Sequence, residues 1–424
     1  MNASAHTPAI PATPVFQTAN PHALATILEA AQTRSIIASR DIFDISGTKL
    51  WARDLPVSQA LQRKLLDRQL RHPLEACLLA EDGVTAHTLA QSLEALLSRD
   101  GPLAPLVMPR ATQLLREAPH LPLHPVAQLL LTASQASRPD AFDHAVQAMA
   151  VNGALAVAHG MSRHEVRIAM LSGLLHDLGE MYIAPEHGEA DILRTLDIQS
   201  YQHLVVHPHV GGLLLQQLTD YPPAIARAVV EHHERLDGSG YPNCLHREQL
   251  SPHGRQLAIT EAVLTSLRAD SPELSRASVA LRVVPGEFDL AFVGPVSTAA
   301  RQQPPLQTAL TADEMRTRLA LLDAALQTAH AGIVALASTA QSQALMDALN
   351  LAQHLLARLR KGWNASGLWS DGDLAVQDAA EVEAVEQELR FRLRGIQSAT
   401  LLRAGKLPAA DLRSLQVLGE QLGA

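Results

Sequence analysis

Two stretches decide the reading of this chain: Leu175-His176-Asp177-Leu178-Gly179-Glu180 and Glu231-His232-His233-Glu234-Arg235-Leu236-Asp237-Gly238-Ser239-Gly240-Tyr241-Pro242. In the first, His176 abuts Asp177; in the second, His232 abuts His233. Neighbouring side chains on a helix diverge by about 100°, so adjacent ligand-type residues suit a single small ion poorly. They suit two ions about 3.5–4 Å apart with a carboxylate between them, and Asp177 is the residue in place to bridge. Imidazoles and carboxylates without thiolates favour Fe, Mn or Zn over Ca or Mg. The glycines and proline that end the second stretch specify a tight, defined loop.

Three further signals stand around these two. Asp143-His144 precedes them, His207-Pro208-His209-Val210-Gly211 lies between them, and Arg255 to Glu261 follows. In a chain with 20 histidines, His-Asp pairs also arise by chance, and one buried histidine is more often a satisfied core residue than a ligand. The ordered set is what points to a site. His209 reads as a bystander, and His159, His164 and His187 are given no role.

The chain around this constellation has 424 residues, enough for two or three domains. Apolar residues make up 47% and charged residues 18%, a composition for buried cores rather than disorder. Acidic residues outnumber basic ones 43 to 34, leaving no excess of cations for DNA or an anionic membrane. Two cysteines, Cys77 and Cys244, exclude a disulfide framework and a cysteine-ligated structural zinc site, so a cytoplasmic location is expected. The first 21 residues lack the pattern of a signal peptide, with no Lys or Arg before Arg34. No stretch reaches the roughly 18 uninterrupted apolar residues of a membrane span.

Ala and Leu recur at helical spacing while aromatics are only 3%, so the fold is expected to be mainly α. The exception is Ser35 to Trp51, rich in β-branched residues around Ser46-Gly47, which reads as a hairpin. Helices are expected near 58–70 and 87–98, and Pro-bearing breaks at 101–109 and 119–125. After a Pro-rich linker at 294–305, Met315, Leu319, Leu322, Leu326 and Ile333 form one heptad-like stripe. Val382, Val385, Leu389, Leu393 and Ile396 form a second, favouring a small bundle over an extended coiled coil.

From about Leu121 to Ala291, two-fifths of the chain, the sequence resembles the HD-GYP subgroup of HD-domain metal phosphohydrolases, which hydrolyse cyclic di-GMP. The string from His232 to Pro242 carries most of the resemblance. By motif, His144 matches the family's first histidine, His176 and Asp177 its HD pair, and His207 the histidine of its His-Pro-x-x-Gly segment. His232 and His233 match the pair before the GYP loop, formed here by Gly238, Gly240, Tyr241 and Pro242, and Glu261 falls where the family has a metal-binding aspartate. The resemblance implies an HD-domain helical bundle, and the residues on either side of it add a small hairpin-containing α/β module before it and a C-terminal helical bundle after it. It implies two divalent ions, Fe or Mn before Zn. His144, His176, Asp177 and Glu261 would hold the first, and Asp177, His207, His232 and His233 the second. A metal-bridging hydroxide would attack phosphorus, with Asp177 as the central catalytic group. Some relatives hold a third ion through a glutamate at the position of Asp140; the shorter side chain argues against one here. The implied organisation is a disordered tail over 1–20, a regulatory module over 21–118, the phosphohydrolase domain over 119–293, a linker over 294–311 and a helical domain over 312–424.

Three departures bear on activity. Glu180 stands where the family has lysine near the substrate phosphate, a swing on the order of 2–8 kcal/mol for unit charges about 4 Å away. Glu261 is one methylene longer than the usual aspartate. The family's Arg-Pro-Tyr segment is replaced by Leu267-Arg268-Ala269-Asp270-Ser271-Pro272-Glu273. The expectation is a cyclic di-GMP phosphodiesterase with reduced turnover; the alternative is a metal-binding signalling or scaffold protein. Protein partners are expected at the GYP loop or the C-terminal helices, whose stripes also fit a homodimer.

Overall fold

The structure, a computed structural model, describes residues 16–184, 204–268, 272–340, 342–367, 379–403 and 407–423. Most of the expected tail, as well as His187 and Asp270, lies outside these residues. The first helices are α1 (Pro21–Ala30), α2 (Gln59–Leu65), α3 (Ala86–Leu97), α4 (Ala104–Val107), α5 (Ala111–Glu117) and α6 (Pro125–Ser137). There follow α7 (Pro139–Ala158), α8 (Arg163–Leu175), α9 (His207–Leu218), α10 (Pro223–Glu231), α11 (Pro252–Leu267), α12 (Leu274–Ala280) and α13 (Leu290–Ala300). The last are α14 (Ala312–Thr339), α15 (Gln343–Ser366), α16 (Ala379–Arg403) and α17 (Ala409–Gly423). The fold is mainly α. Proline opens α6, α7, α10 and α11, where its missing N–H is not needed and its fixed φ suits the first helical turn.

One compact unit comprises Met1–Thr85, Leu123–Phe142 and Gln217–Asp220. In it α1, capped by the Asn20 side chain, packs on α6. Four short strands accompany them: β1 (Ile36–Ala38), β2 (Ile42–Phe43), β3 (Lys49–Trp51) and β4 (Leu78–Ala80). Strands β2 and β3 form the hairpin read from the sequence, and its turn is held by the Asp44 carboxylate. That carboxylate accepts from Thr48 N at 2.8 Å and from Ser46 Oγ at 2.6 Å. The start of the expected hairpin is a correction: β1 does not join it but pairs antiparallel with β4, Ile36 opposite Ala80. A short alternating run shows which face is buried, and says nothing of which distant strand supplies the partner.

The second unit comprises Ala86–Pro122, Asp143–Gln216 and Tyr221–Ala424. Helix α8 starts at a capping box, with Ser162 Oγ accepting from Glu165 N and Glu165 accepting from Ser162 N. Helices α7, α8 and α11 are keyed together by a buried polar knot. Asn152 Nδ2 donates to Ala169 O at 2.8 Å, while Gln256 Nε2 and Thr260 Oγ1 donate to Asn152 Oδ1 at 2.9 and 3.0 Å. All three side chains are buried, so the bonds work only in one helix register.

Downstream, Pro295 was expected in a linker, but it lies inside α13. The helix buries Phe292, Val293, Val296 and Ala299 along one face, and that burial outweighs the single backbone bond a proline removes. Helices α14 to α17 form a bundle with one core. The first stripe (Met315, Leu319, Leu322, Leu326, Ile333) and most of the second (Val382, Leu389, Leu393, Ile396) are buried in it, with Val385 packed at its edge. Helix α14 is long and apolar enough to cross a membrane by length and composition, yet its stripe faces this core.

Replacing Asn152 by Leu removes the side-chain oxygen shared by Gln256 and Thr260 and the Nδ2 donor to the Ala169 carbonyl. The expected cost is about 1–3 kcal/mol, read as a lower urea midpoint at unchanged slope. An unchanged midpoint would show that the knot does not hold the helices together.

Candidate metal centre

The side chains singled out in the sequence arrive from five places in the second unit. His144 lies on the second turn of α7. His176 caps the C-terminus of α8, and Asp177 opens the 3-10 turn over Leu178–Tyr182. His207 begins α9, His232 and His233 follow α10, and Glu261 lies on α11. They converge into two groups sharing one carboxylate: His144, His176, Asp177 and Glu261; and Asp177, His207, His232 and His233.

Asp177 faces both groups with different oxygens. Its Oδ2 lies 3.1 Å from His176 Nε2 and 3.4 Å from His144 Nε2. Its Oδ1 lies 3.4 Å from His232 Nε2 and 3.6 Å from His207 Nε2, and makes no hydrogen bond among the described residues. Glu261 Oε2 completes the first group, 3.3 Å from His144 Nε2 and 3.2 Å from His176 Nε2. Its other oxygen accepts from Thr265 Oγ1 at 2.7 Å, which orients the longer side chain.

The imidazoles carry a repeated local device. His176, His207 and His232 each direct Nδ1 at the carbonyl three residues back, on Gly173, Leu204 and Val229, at 2.7, 2.7 and 2.5 Å. A carbonyl only accepts, so the proton sits on Nδ1 and Nε2 turns its lone pair inward. The inward nitrogens then meet at short range: His207 Nε2 is 3.1 Å from His232 Nε2, and His144 Nε2 is 3.2 Å from His176 Nε2. Nitrogens this close to one another and to two carboxylates need a proton or a metal cation between them. The donor set thus fits divalent metal, with nitrogen and oxygen donors and no thiolate.

In the metal-free site the electrostatics call for positive charge beside the carboxylates. Burial pushes the Asp177 and Glu261 carboxyls up, but the histidines beside them outweigh it and hold both well below the usual carboxylate range. Burial likewise opposes a charge on His176, yet Asp177 and Glu261 raise it well above an ordinary imidazole. His232 goes the other way: burial first, then His233, bring it down to about 3. A metal would displace the proton that the carboxylates favour on His176, and it would find His232 already neutral.

Close backbone approaches set this geometry. A side chain at Gly179 would collide with the His207 carbonyl, so only glycine lets the start of α9 lie against the turn after Asp177. At Gly240 a side chain would collide with the His233 carbonyl and the Glu234 backbone, which is how the loop folds back on the His-His pair. Tyr241 stacks on His233 with ring centres 4.5 Å apart and planes at 16°, and Gly238 turns the loop at φ +80°. Pro242 follows. His209 is exposed, His164 is exposed, and His159 stands edge-on to Phe292. Asp140 lies in the first turn of α7 and belongs to neither group among the described residues.

Two contributors escaped the sequence reading or were left open by it. Buried Glu234 accepts from Asn243 N at 2.6 Å and Leu245 N at 2.9 Å, stapling the loop beyond Pro242. Arg268 brings its Nη2 to 3.1 Å from both ring nitrogens of His144. Its signal was the spacing: seven residues after Glu261, two helical turns on, it shares that residue's face of α11.

In metal-free protein the His232 ring should stay neutral from pH 8 down to about pH 4, because its folded pKa is brought down to about 3. Nitrogen chemical shifts of the ring would report this directly, and a titration near the ordinary value of about 6.5 would contradict it.

Residues 130–284, which include all seven side chains, match the family model described as HD domain. A Pseudomonas aeruginosa protein named as a cyclic di-GMP phosphodiesterase is 27% identical over 233 residues, 54% of this chain and 52% of that protein. A Xanthomonas campestris response regulator, also named as a cyclic di-GMP phosphodiesterase, is 32% identical over 114 residues, 26% of this chain and 29% of its own length. The chain therefore spans about half, or less, of these relatives. A solved structure described as an HDG"Y"P protein from Bdellovibrio bacteriovorus aligns over 64% of this chain and 97% of its own, with 12% identity and a TM-score of 0.34. The HD-domain match lies on the helices that carry the His-Asp pair, and the His-His pair there runs into a Gly-Tyr-Pro loop, so residues 130–284 are similar to HD domains and to the cyclic di-GMP phosphodiesterases named above.

Proposed function

We propose that the chain is a metal-dependent phosphodiesterase that hydrolyses cyclic di-GMP, through linear pGpG to GMP, in bacterial cytoplasmic signalling. The observation that carries this reading is the pair of four-residue groups sharing Asp177. A single-ion site has no use for a carboxylate placed between two sets of imidazoles. Two ions of Fe(II) or Mn(II), with Zn(II) as the lesser fit, would be held by these groups, with Asp177 common to both. Bound there, such ions lower the pKa of a water and neutralise charge on the phosphoryl oxygens. The names of the two relatives supply the substrate class.

The chain's own residues take the remaining tasks. Nδ1–H donation to backbone carbonyls holds His176, His207 and His232 in the tautomer whose Nε2 can ligate. Tyr241, stacked on His233, fixes that ring. Arg268, beside His144, offers a positive charge to an incoming phosphate, partly offsetting the lysine that Glu180 replaces.

One observation favours the second reading, a metal-binding signalling protein with little turnover. Glu180 is half-buried in the turn that starts at Asp177, where a carboxylate repels a dianionic substrate. The two readings part in a direct assay. Protein purified anaerobically and loaded with Fe(II) or Mn(II) is incubated with cyclic di-GMP, and pGpG and GMP are quantified. The phosphodiesterase reading expects product at catalytic rates, lost together with bound metal in Asp177→Ala. No product from metal-loaded protein contradicts it. For Glu180→Lys, a turnover gain of about tenfold or more is expected if the acid is what limits the site, equal to about 1.4 kcal/mol of barrier. A further loss would mean that the site is tuned around the acid.

A further inference from the structure

The junction between the loop after His233 and the C-terminal helices holds charges that the reading above does not use. Helix α15 touches the chain here backbone to backbone, since a side chain at Gly362 would collide with the Val283 carbonyl. That contact brings Arg358 and Lys361 to a cleft of about 350 Å³, whose other walls include Asp237, Arg247, Pro285 and Gly286. Three cations face one carboxylate, a surplus of two positive charges in a chain whose net charge is -9.

The neighbouring arginines are engaged with acids. Arg392 Nη1 lies 2.8 Å from Glu287 Oε1, Arg255 Nη1 3.5 Å from Asp289 Oδ2, and Arg276 Nε 3.4 Å from Glu273 Oε2. Arg247 and Lys361 are exposed, and among the described residues neither side chain has an ion pair or hydrogen bond. Arg358 is held in place at the floor. Its guanidinium donates to the Pro285 carbonyl, and its buried Nε faces Asp237 Oδ2 at 3.4 Å without a hydrogen bond. A fixed arginine flanked by two unpaired cations is the arrangement that recognises phosphate oxygens, and the volume lies within the range of about 300–1,000 Å³ for small-ligand sites.

We propose that this cleft binds a small phosphate-bearing anion as an effector, separate from the metal centre. The position gives the ligand a lever. Asp237 competes with it for Arg358, and the Asp237 Oδ1 atom also holds Ser239, accepting from its N at 3.1 Å and its Oγ at 2.6 Å. The Asp237 carbonyl accepts from His354 Nε2 on α15 at 3.1 Å. An anion drawing Arg358 away from Asp237 therefore acts on the loop that carries Tyr241 to His233.

The test uses the full chain stripped of metal, so that it stands or falls apart from the phosphodiesterase reading. Calorimetric titration with pyrophosphate is expected to give saturable binding. Affinity falls about tenfold or more in an Arg247→Ala/Lys361→Ala double variant, whose exposed positions leave the fold intact by circular dichroism. It rises in Asp237→Asn, which removes the competing charge. Comparable binding of 5′-GMP assigns a nucleotide phosphate as the source, and binding of pyrophosphate alone assigns an inorganic one. No saturable binding of either below about 1 mM, equal affinity in the double variant, or equal binding of chloride would overturn the proposal.

Discussion

The Asp177 carboxylate lies between two groups of imidazoles and offers each a different oxygen, Oδ2 at 3.1 Å from His176 and Oδ1 at 3.4 Å from His232. Burying a carboxylate without compensation is costly, and here the compensation must come from cationic charge on both sides. The surrounding structure follows from that requirement. The imidazoles are held by their Nδ1 protons on backbone carbonyls, so each turns its Nε2 toward the carboxylate. Positive charge has to lie on both sides of Asp177, which is why the two groups fit metal ions.

Holding such a site together requires the helices to sit in one register. The knot of Asn152, Gln256 and Thr260 provides it for α7, α8 and α11, with Thr260 adjacent to Glu261 in the chain. The bare backbone at Gly179 does the same for α9. The second group depends on the loop from Gly238 to Pro242, closed by Glu234 on one side and by Tyr241 stacked on His233 on the other. Beyond it, buried Glu287 binds Arg392 of α16, and its backbone carbonyl accepts from Leu236 N at 2.8 Å. Burial pushes the Glu287 carboxyl up to about 7 despite both flanking arginines. The C-terminal bundle is thus fastened to the chain directly after the His-His pair.

Much of this was legible in the sequence for definite reasons. The adjacent His-Asp and His-His pairs marked side chains that the fold brings together, but not by diverging on a helix: each pair sits at a helix C-terminus, and both members fall in the same group. The stripes from Met315 to Ile333 and from Val382 to Ile396 marked buried faces because helical periodicity survives in any bundle. Other features were not legible, because they depend on partners far away in the chain. Nothing local to Ile36 names β4, 42 residues on, as its mate. Pro295 signals a break by itself, and only the buried faces around it restore the helix. Asn152 stands within the apolar stretch from Val146 to Val157, and its role depends on Gln256, 104 residues later. Arg268 stood in plain view, but its direction is set by where α11 places His144's neighbour Glu261.

The central claim is that Asp177 is shared by two ions. Anomalous diffraction from crystals grown with Mn(II) tests it most directly. The account predicts two peaks about 3.5–4 Å apart, one among His144, His176 and Glu261 and the other among His207, His232 and His233, each bonded to its own Asp177 oxygen. A single peak, or none with the imidazoles unmoved around a bare Asp177, would contradict it.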